Sequence, residues 1–273
     1  MAKHSGIEWT HHTFNPWWGC TKVSPACAHC YAEKWALRVG AELWGRDAPR
    51  RFFSDKHWAE PLLWDREAKS SGSRARVFCA SMADVFEPRT ELDPWRDRLW
   101  ALIERTPHLD WLLLTKRPGQ IRSVYPWVKV PRDNVWLGTT AENQRWADLR
   151  IERLTRVPAR VHFLSCEPLL SGIDLSTWLH QGAIDWIIAG GESGPDARPT
   201  HPNWIRALRD QCQRYAVPFH FKQWGHWSPE SGLLEDERSR KTREVHDEGG
   251  TVARLAWKPK KLSGRLLDGR IWD

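Results

Sequence analysis

The stretch WLLLTKRP, residues 111–118, joins a short apolar run to a charged end, and this pattern recurs along the chain. A run of this length, rich in large apolar residues and without strict alternation, is typical of a parallel strand covered on both faces. Similar runs occupy residues 76–81, 134–140, 160–166, 186–190 and 218–224. If residues 13–19 supply a first strand, the chain contains seven strand–helix units.

Amphipathic segments separate these runs and suit crossover helices. Residues 93–105, 142–157 and 203–216 each place apolar side chains on one helical face, with Asp93 and Asn203 as predicted N-caps. Repeated strand–helix units imply right-handed crossovers and a parallel sheet. The sequence therefore predicts an α/β fold, either a full or partial (β/α) TIM-like barrel or an open doubly wound sheet.

Composition bounds the class of protein. The chain has 273 residues, 41% hydrophobic and 27% charged, which is ordinary for a soluble globular protein. No apolar run approaches the roughly 18–20 residues of a membrane helix, and the first residues lack the apolar core of a secretory signal. We therefore expect a cytoplasmic protein without membrane contact, in which six cysteines are not a disulfide framework. The net charge of +7 is compatible with nucleic-acid contact.

The last part of the chain has a different composition. From residue 226 onward, Gly, Ser and charged residues dominate and apolar residues are sparse, although residues 260–273 contain Leu and Trp that suit docking. The sequence predicts a barrel over residues 1–225 and a loop-rich C-terminal extension or lid over residues 226–273.

Polar residues follow nearly every predicted strand. In a barrel, the carboxyl ends of the strands carry the active site. A helix cap or a loop salt bridge accounts equally well for any single one of these residues, but a ring of polar residues on one face favours a site. The candidates at these strand ends are Asp84, Lys116, Thr140, Glu142, Asn143, Glu167, Glu192, Lys222 and Gln223.

Three cysteines lie close together in NPWWGCTKVSPACAHCYAEKWA, residues 15–36. Three thiolates from one loop can bind a [4Fe–4S] cluster and leave its fourth iron open to a small ligand. The loop that carries Cys20, Cys27 and Cys30 would leave the first strand and enter a helix near Tyr31, at the same end as the polar strand ends.

Two alternative roles for the cysteines stay open. His29, His11 or His12 could complete a structural zinc site with the three thiols. The thiols could also be unrelated, as buried cysteines often are. Cys166, at the end of a predicted strand, could likewise be a simple buried thiol. It lies beside Glu167, however, and would point toward the predicted site.

Three cysteines after a first strand on a (β/α) barrel resemble the radical S-adenosylmethionine (SAM) superfamily, although its usual spacing is C-x3-C-x2-C and the spacing here is C-x6-C-x2-C. Longer strings are similar to one branch, the phage-associated three-cysteine family of uncharacterised proteins found in phages and bacteria. The similar strings are FNPWWGCTKVSPACAHCYAE, ASMADVFE, LLLTKRP, VWLGTTAENQ, FLSCEPLL, WIIAGGESGPDARP, PFHFKQWG and GRLLDGRIWD.

This resemblance implies a cofactor pair and a set of site residues. The three cysteines would hold a [4Fe–4S] cluster, SAM would bind its open iron, and a flavodoxin- or ferredoxin-type donor would supply the electron that yields a 5′-deoxyadenosyl radical. The superfamily often carries a Gly-Gly-Glu motif after strand two, and that motif contacts SAM. This sequence has SMAD at that position, so Ser81 and Asp84 are the implied contacts there. The implied cofactor-binding residues are His29, Tyr31, Ser81, Asp84, Thr140, Glu142, Asn143 and Glu192, and the candidate catalytic residues are Lys116, Cys166 and Glu167.

The resemblance also suggests a substrate class. Members of this family accompany phage genes for DNA hypermodification, which would place the protein in the host cytoplasm and makes a modified thymidine in DNA the expected target. One specific reaction is the isomerisation of an amino-acid-bearing (glycinyl) thymidine. The alternatives are a DNA photoproduct lyase and a zinc-stabilised nucleic-acid-binding protein without catalysis. Lys116, Arg117 and Lys222 agree with a nucleic-acid substrate.

Overall fold

The computed structural model describes residues 5–230 and 241–273, so part of the predicted extension, residues 231–240, lies outside the described residues. Within the described part, no helix has the length and apolar character needed to cross a bilayer. The chain divides into two compact units. The first comprises Met1–Thr139 with Arg150–His162, and the second comprises Thr140–Leu149 with Phe163–Asp273.

The first unit is built on parallel strands. Its strands and helices are β1 (His12–Thr13), β2 (Trp17–Trp18), β3 (Arg51–Phe52), β4 (Ala75–Cys79), β5 (Leu109–Thr115), β6 (Val135–Thr140), α1 (Tyr31–Arg38), α2 (Asp55–Ser71), α3 (Asp93–Glu104) and α4 (Ile121–Val124). The strand order is β1-β4-β5-β6, with every pair parallel. Trp111 pairs in register with Val77 and Val135 and is fully buried, which confirms the predicted strand at residues 111–115.

The first predicted strand differs from the observed one. Only His12–Thr13 joins the parallel sheet, and Trp17–Trp18 pairs antiparallel with Arg51–Phe52. Between these strands, the Asn15 side-chain oxygen accepts the N–H of Met82 at 2.7 Å, and Pro16 has no N–H to donate to a ladder. The segment 13–19 is therefore two short strands instead of one.

The second unit also contains parallel strands separated by helices. Helix α5 (Gln144–Thr155) precedes β7 (Val161–Cys166), α6 (Ser176–His180), β8 (Trp186–Gly190), α7 (Pro202–Arg214) and β9 (Phe219–Gln223). The strands are parallel and ordered β7-β8-β9. The predicted α/β fold with parallel strands, of the full or partial (β/α) barrel type, is confirmed.

The predicted N-caps were wrong by one or two residues. Leu92 caps α3, so Asp93 is already helical. Helix α7 begins at Pro202, and the His201 side chain accepts the backbone N–H of Asn203 at 3.1 Å. Proline at the first helical position fixes the start of α7, because its φ suits a helix and its missing N–H would have had no helical partner.

The C-terminal extension contains a sheet that the sequence did not indicate. The strands β10 (Trp227–Pro229), β11 (Thr242–His246) and β12 (Val252–Trp257) form an antiparallel sheet of order β10-β12-β11, and α8 (Lys260–Ser263) follows. Trp227 and Leu255 are buried together with Ala197. The division of the chain at residues 225 and 226 stays a prediction.

Candidate functional site

The cysteine loop is held against the end of β4. The Gly19 N–H donates to the Met82 carbonyl oxygen at 3.0 Å. Gly19 has a φ of +114°, and a Cβ atom there would lie 2.6 Å from the carbonyl oxygen of Leu43, so glycine is required for both reasons. The loop therefore begins next to the segment that follows β4, at the carboxyl end of the parallel strands.

Cys20, Cys27 and Cys30 are free thiols, and each is partly exposed. Cys27 ends a short 3₁₀ turn, and Cys30 immediately precedes α1. Burial raises the pKa of the Cys30 thiol, while the N–H groups of Glu33 and Ala32 and the charge of Lys116 oppose this shift. The first turn of α1 thus offsets part of the effect of burial, while the pKa of Cys30 stays above its usual value.

The donor chemistry of this loop fits an iron–sulfur cluster, because it offers three thiols outside any disulfide within eleven residues. In the described part of the chain, however, no three His, Cys, Asp or Glu side chains are grouped closely enough to hold a metal ion. That finding concerns a single ion, whereas in a [4Fe–4S] cluster each cysteine binds a different iron and the three sulfurs stay apart. The assignment of these cysteines as ligands stays a prediction.

The histidines of the zinc alternative have contacts of their own. The His11 Nδ1 atom accepts the N–H of Arg76 at 2.8 Å. The His12 ring is buried and stacks on Trp64, with ring centroids 4.4 Å apart. His29 lies between Cys27 and Cys30 in the same loop and is partly exposed. The contacts of His11 and His12 give no support to a zinc site that uses either ring.

Arg117 lies beside Cys20. Its Nη1 atom is 3.7 Å from Cys20 Sγ and 3.0 Å from Asp84 Oδ2, and its Nη2 atom donates to the Thr21 carbonyl oxygen at 2.6 Å. Burial and the charge of Asp84 raise the pKa of Cys20 to about 12, and Arg117 opposes this shift. The sequence pattern predicts Lys116, the first residue after β5, as the functional cation. The structure instead places the side chain of the next residue, Arg117, against Cys20.

Asp84 organises the strand ends around Arg117. Its Oδ1 atom accepts from Thr115 Oγ1 at 2.7 Å and from the Phe86 N–H at 3.0 Å, and its Oδ2 atom accepts from the Lys116 N–H at 3.0 Å as well as from Arg117. The carboxylate is buried. Both oxygens are therefore committed to the protein, and the predicted contact of Asp84 with SAM stays a prediction.

A second buried ion pair lies behind the loop. Arg50 donates to Glu87 from Nε at 3.0 Å and from Nη2 at 2.8 Å, and both side chains are almost completely buried. Arg50 also donates to the Leu43 carbonyl oxygen and to Thr21 Oγ1, at 3.1 and 3.2 Å. No pattern in the sequence marks this pair, because Arg50 and Glu87 lie 37 positions apart in segments without periodicity.

Tyr31 and Ser81 are close together, as the prediction of a shared site requires. The Tyr31 hydroxyl donates to the Ser81 carbonyl oxygen at 2.8 Å, and Tyr31 is 55% exposed. The Asn15 side-chain amide donates to Ser81 Oγ at 3.1 Å. Tyr31 is thus anchored at its hydroxyl while much of its side chain remains exposed.

In the second unit, Glu167 pairs with Lys222. The Lys222 Nζ atom lies 3.1 Å from Oε1 and 3.2 Å from Oε2 of Glu167, and Ser165 Oγ donates to Oε2 at 3.4 Å. A Cβ atom at Gly190 would lie 2.8 Å from Glu167 Oε1, so glycine leaves room for the carboxylate. The pair is partly exposed at the carboxyl ends of β7 and β9.

Cys166 is fully buried, and burial raises the pKa of its thiol. A neutral, inaccessible thiol is a poor nucleophile or proton donor, because the thiolate is the reactive form. The burial of Cys166 and its raised pKa therefore give the predicted catalytic role no support.

The remaining predicted residues of the second unit have structural partners. The Glu192 carboxylate accepts from Arg198 Nη2 at 2.6 Å and from Nε at 2.9 Å. Asn143 Oδ1 accepts the Trp146 N–H at 3.1 Å, which is a cap for α5. Thr140 and Glu142 are buried at the end of β6. Their predicted contacts with SAM stay predictions.

Comparison with known proteins finds two solved structures with limited similarity and one family model. A spore photoproduct lyase double mutant with bound AdoMet and dinucleoside spore photoproduct is similar to this chain with a TM-score of 0.47 and 11% identity, over 93% of this chain and 70% of that chain. A second spore photoproduct lyase mutant gives a TM-score of 0.46 and 14% identity, over 94% and 71%. Neither likeness assigns a reaction to this chain, and no curated protein matches it. The family model described as a protein of unknown function, DUF5131, matches residues 4–273, and the chain therefore belongs to that family.

Proposed function

We propose that this protein is a radical SAM enzyme that acts on a modified thymidine in DNA. The observation that carries the proposal is the loop with Cys20, Cys27 and Cys30, three free thiols at the carboxyl end of the parallel strands with Lys116 and Arg117 beside them. A [4Fe–4S] cluster held by three thiolates supplies an open iron for SAM and the electron for its reductive cleavage.

The residues around the loop suit this chemistry. Arg117 and Lys116 are cations near Cys20 and Cys30, where they offset the negative charge of thiolate ligands. Tyr31 follows Cys30 directly and has an exposed side chain anchored through its hydroxyl, which suits stacking against an adenine ring. Tyr31 would orient SAM beside the ligand loop, and the two cations would stabilise the ligand thiolates.

In the second unit, the Glu167–Lys222 pair is the best candidate to contact the substrate. A partly exposed carboxylate 3.1 Å from an ammonium group can accept a proton from a substrate or hold its amino group, and Lys222 can bind an anionic group. We assign Glu167 the acid–base role and Lys222 the role of its partner. Gly190 keeps the space beside the carboxylate open.

The substrate assignment follows from the family resemblance and from charge. The net charge of +7 suits a polyanion, because phosphate contacts by Lys and Arg dominate affinity for DNA. The specific reaction that we propose is isomerisation of an amino-acid-bearing thymidine, in which the amino-acid group moves between nitrogen-linked and carbon-linked positions.

Cofactor chemistry is tested with anaerobically reconstituted protein, SAM and dithionite. We expect 5′-deoxyadenosine from the wild type and from Cys212→Ala, a matched control at a buried thiol on α7, but none from Cys20→Ala. A wild type with a full cluster that yields no 5′-deoxyadenosine in the presence of candidate substrates would contradict the proposal.

The reaction class is tested by product mass with DNA that carries aminoacyl thymidine or a thymine photoproduct. An isomerase returns a nucleoside of unchanged mass with a new retention time, whereas a lyase returns two thymidines from the photoproduct. Binding to DNA should weaken steeply with salt. Salt-independent binding, or turnover of the free nucleoside alone, would overturn the DNA assignment.

A further inference from the structure

Cys20 differs from the other two loop cysteines in its described contacts, because a guanidinium group lies against its sulfur. The Arg117 Nη1 atom is 3.7 Å from Cys20 Sγ, which is within hydrogen-bond range for a sulfur acceptor. The Arg117 side chain is only 9% exposed, so little water competes for this N–H group.

The direction of the Arg117 side chain is fixed by buried partners. Asp84 Oδ2 accepts from Nη1 at 3.0 Å, and the Thr21 carbonyl oxygen accepts from Nη2 at 2.6 Å. Glu87 Oε1 lies 3.8 Å from Nη2. A guanidinium with two carboxylates and a carbonyl around it cannot turn away from Cys20 without losing charge-assisted bonds.

A second arginine contacts the same residue, Thr21, at its side chain. Arg50 donates to Thr21 Oγ1 at 3.2 Å and is tied to Glu87. Thr21 directly follows Cys20, so two arginines fix the residue next to the first cysteine. The described contacts of Cys27 are much weaker, with Ser24 Oγ 3.9 Å from its sulfur.

We infer that Arg117 is a positioning residue that donates a hydrogen bond to the Cys20 sulfur and thereby raises the reduction potential of the bound cluster. This inference rests on the proposed function, in which Cys20 is a cluster ligand. Reduction adds one negative charge, and an N–H donor with positive charge at a ligand sulfur stabilises the reduced state more than the oxidised state. The buried Asp84 and Arg50–Glu87 contacts hold this donor in place.

The test is a potentiometric titration of the reconstituted cluster, followed by electron paramagnetic resonance. Arg117→Lys keeps the charge and removes the planar fork of donors. We expect its cluster to be harder to reduce, with about a tenfold lower ratio of reduced to oxidised cluster at a fixed potential, or about 59 mV for a one-electron couple. Arg122→Met, at an exposed arginine on α4, is the control and should keep the wild-type potential.

The potential separates this role from a merely structural one. If Arg117 only braced the loop, Arg117→Lys would lower iron content without moving the potential of the clusters that remain. A full cluster with the wild-type potential in Arg117→Lys would overturn the inference while leaving the proposed function intact. A wild type that binds no iron and sulfide would refute both.

A measurement on the wild type covers the case in which the variant holds no cluster. Protein grown with ¹⁵N-guanidino arginine should show a weak ¹⁵N coupling to the reduced cluster by pulsed electron paramagnetic resonance, absent from unlabelled protein. Lack of this coupling in a fully loaded wild type would overturn the inference.

Discussion

Glu87→Gln should destabilise the protein far more than a typical surface change. Glu87 is 2% exposed, and its carboxylate is the charge partner of Arg50, whose side chain is completely buried. Glutamine keeps the shape and one acceptor but removes the charge, which leaves the Arg50 guanidinium buried and uncompensated. Breaking one partner of a buried pair costs about 3–5 kcal/mol.

For a chain of this size, each kcal/mol lost from the free energy of unfolding lowers the melting temperature by about 2 °C. We therefore expect the melting temperature of Glu87→Gln to fall by about 6–10 °C. The assay is thermal unfolding followed by circular dichroism at neutral pH. The matched control is Glu152→Gln, because Glu152 pairs with Arg156 and both side chains are more than half exposed. That change should cost less than about 1 kcal/mol. Equal shifts for the two variants would refute the reasoning.

Two further predictions test other contacts. Gly191→Ala would place a Cβ atom 2.0 Å from the carbonyl oxygen of Trp224, so it should cost at least about 1–3 kcal/mol in urea unfolding. Gly6→Ala, where a Cβ meets nothing within 4 Å, is its control, and similar losses in both would contradict the predicted clash. A hydrogen bond from Arg206 holds the pKa of Asp268 below its usual range. The stabilisation is therefore present above a pH of about 4 and lost as pH falls through the lowered pKa. The difference in melting temperature between wild type and Asp268→Asn should narrow between pH 6 and pH 3, and a constant difference would refute this assignment.

The parallel strands are predictable because their signal is local. The strand Leu109–Thr115 is buried on both faces, and its residues 111–114 form a continuous apolar run. The prediction of one strand over 13–19 is wrong because the apolar residues there serve two short strands that meet different partners. The β10–β12 sheet of the extension has no clear sequence signal because few of its residues face a core.

The candidate site is predictable only where function fixes the residue type. The spacing of Cys20, Cys27 and Cys30 is visible in the sequence, and so is a polar residue such as Asp84 after a strand. The partners of Asp84 and the Arg50–Glu87 pair arise from tertiary contacts between distant loops, which leave no local pattern. For the same reason the sequence does not distinguish Lys116 from Arg117, since adjacent cations at one strand end look alike until the chain folds.

The central claim is that the three-cysteine loop holds an iron–sulfur cluster. It is tested most directly by iron, sulfide and zinc analysis of protein purified without oxygen, with Cys20→Ala alongside. We expect about four iron and four sulfide per wild-type chain, little zinc, and loss of the cluster in Cys20→Ala. Stoichiometric zinc without sulfide in the wild type would contradict the account.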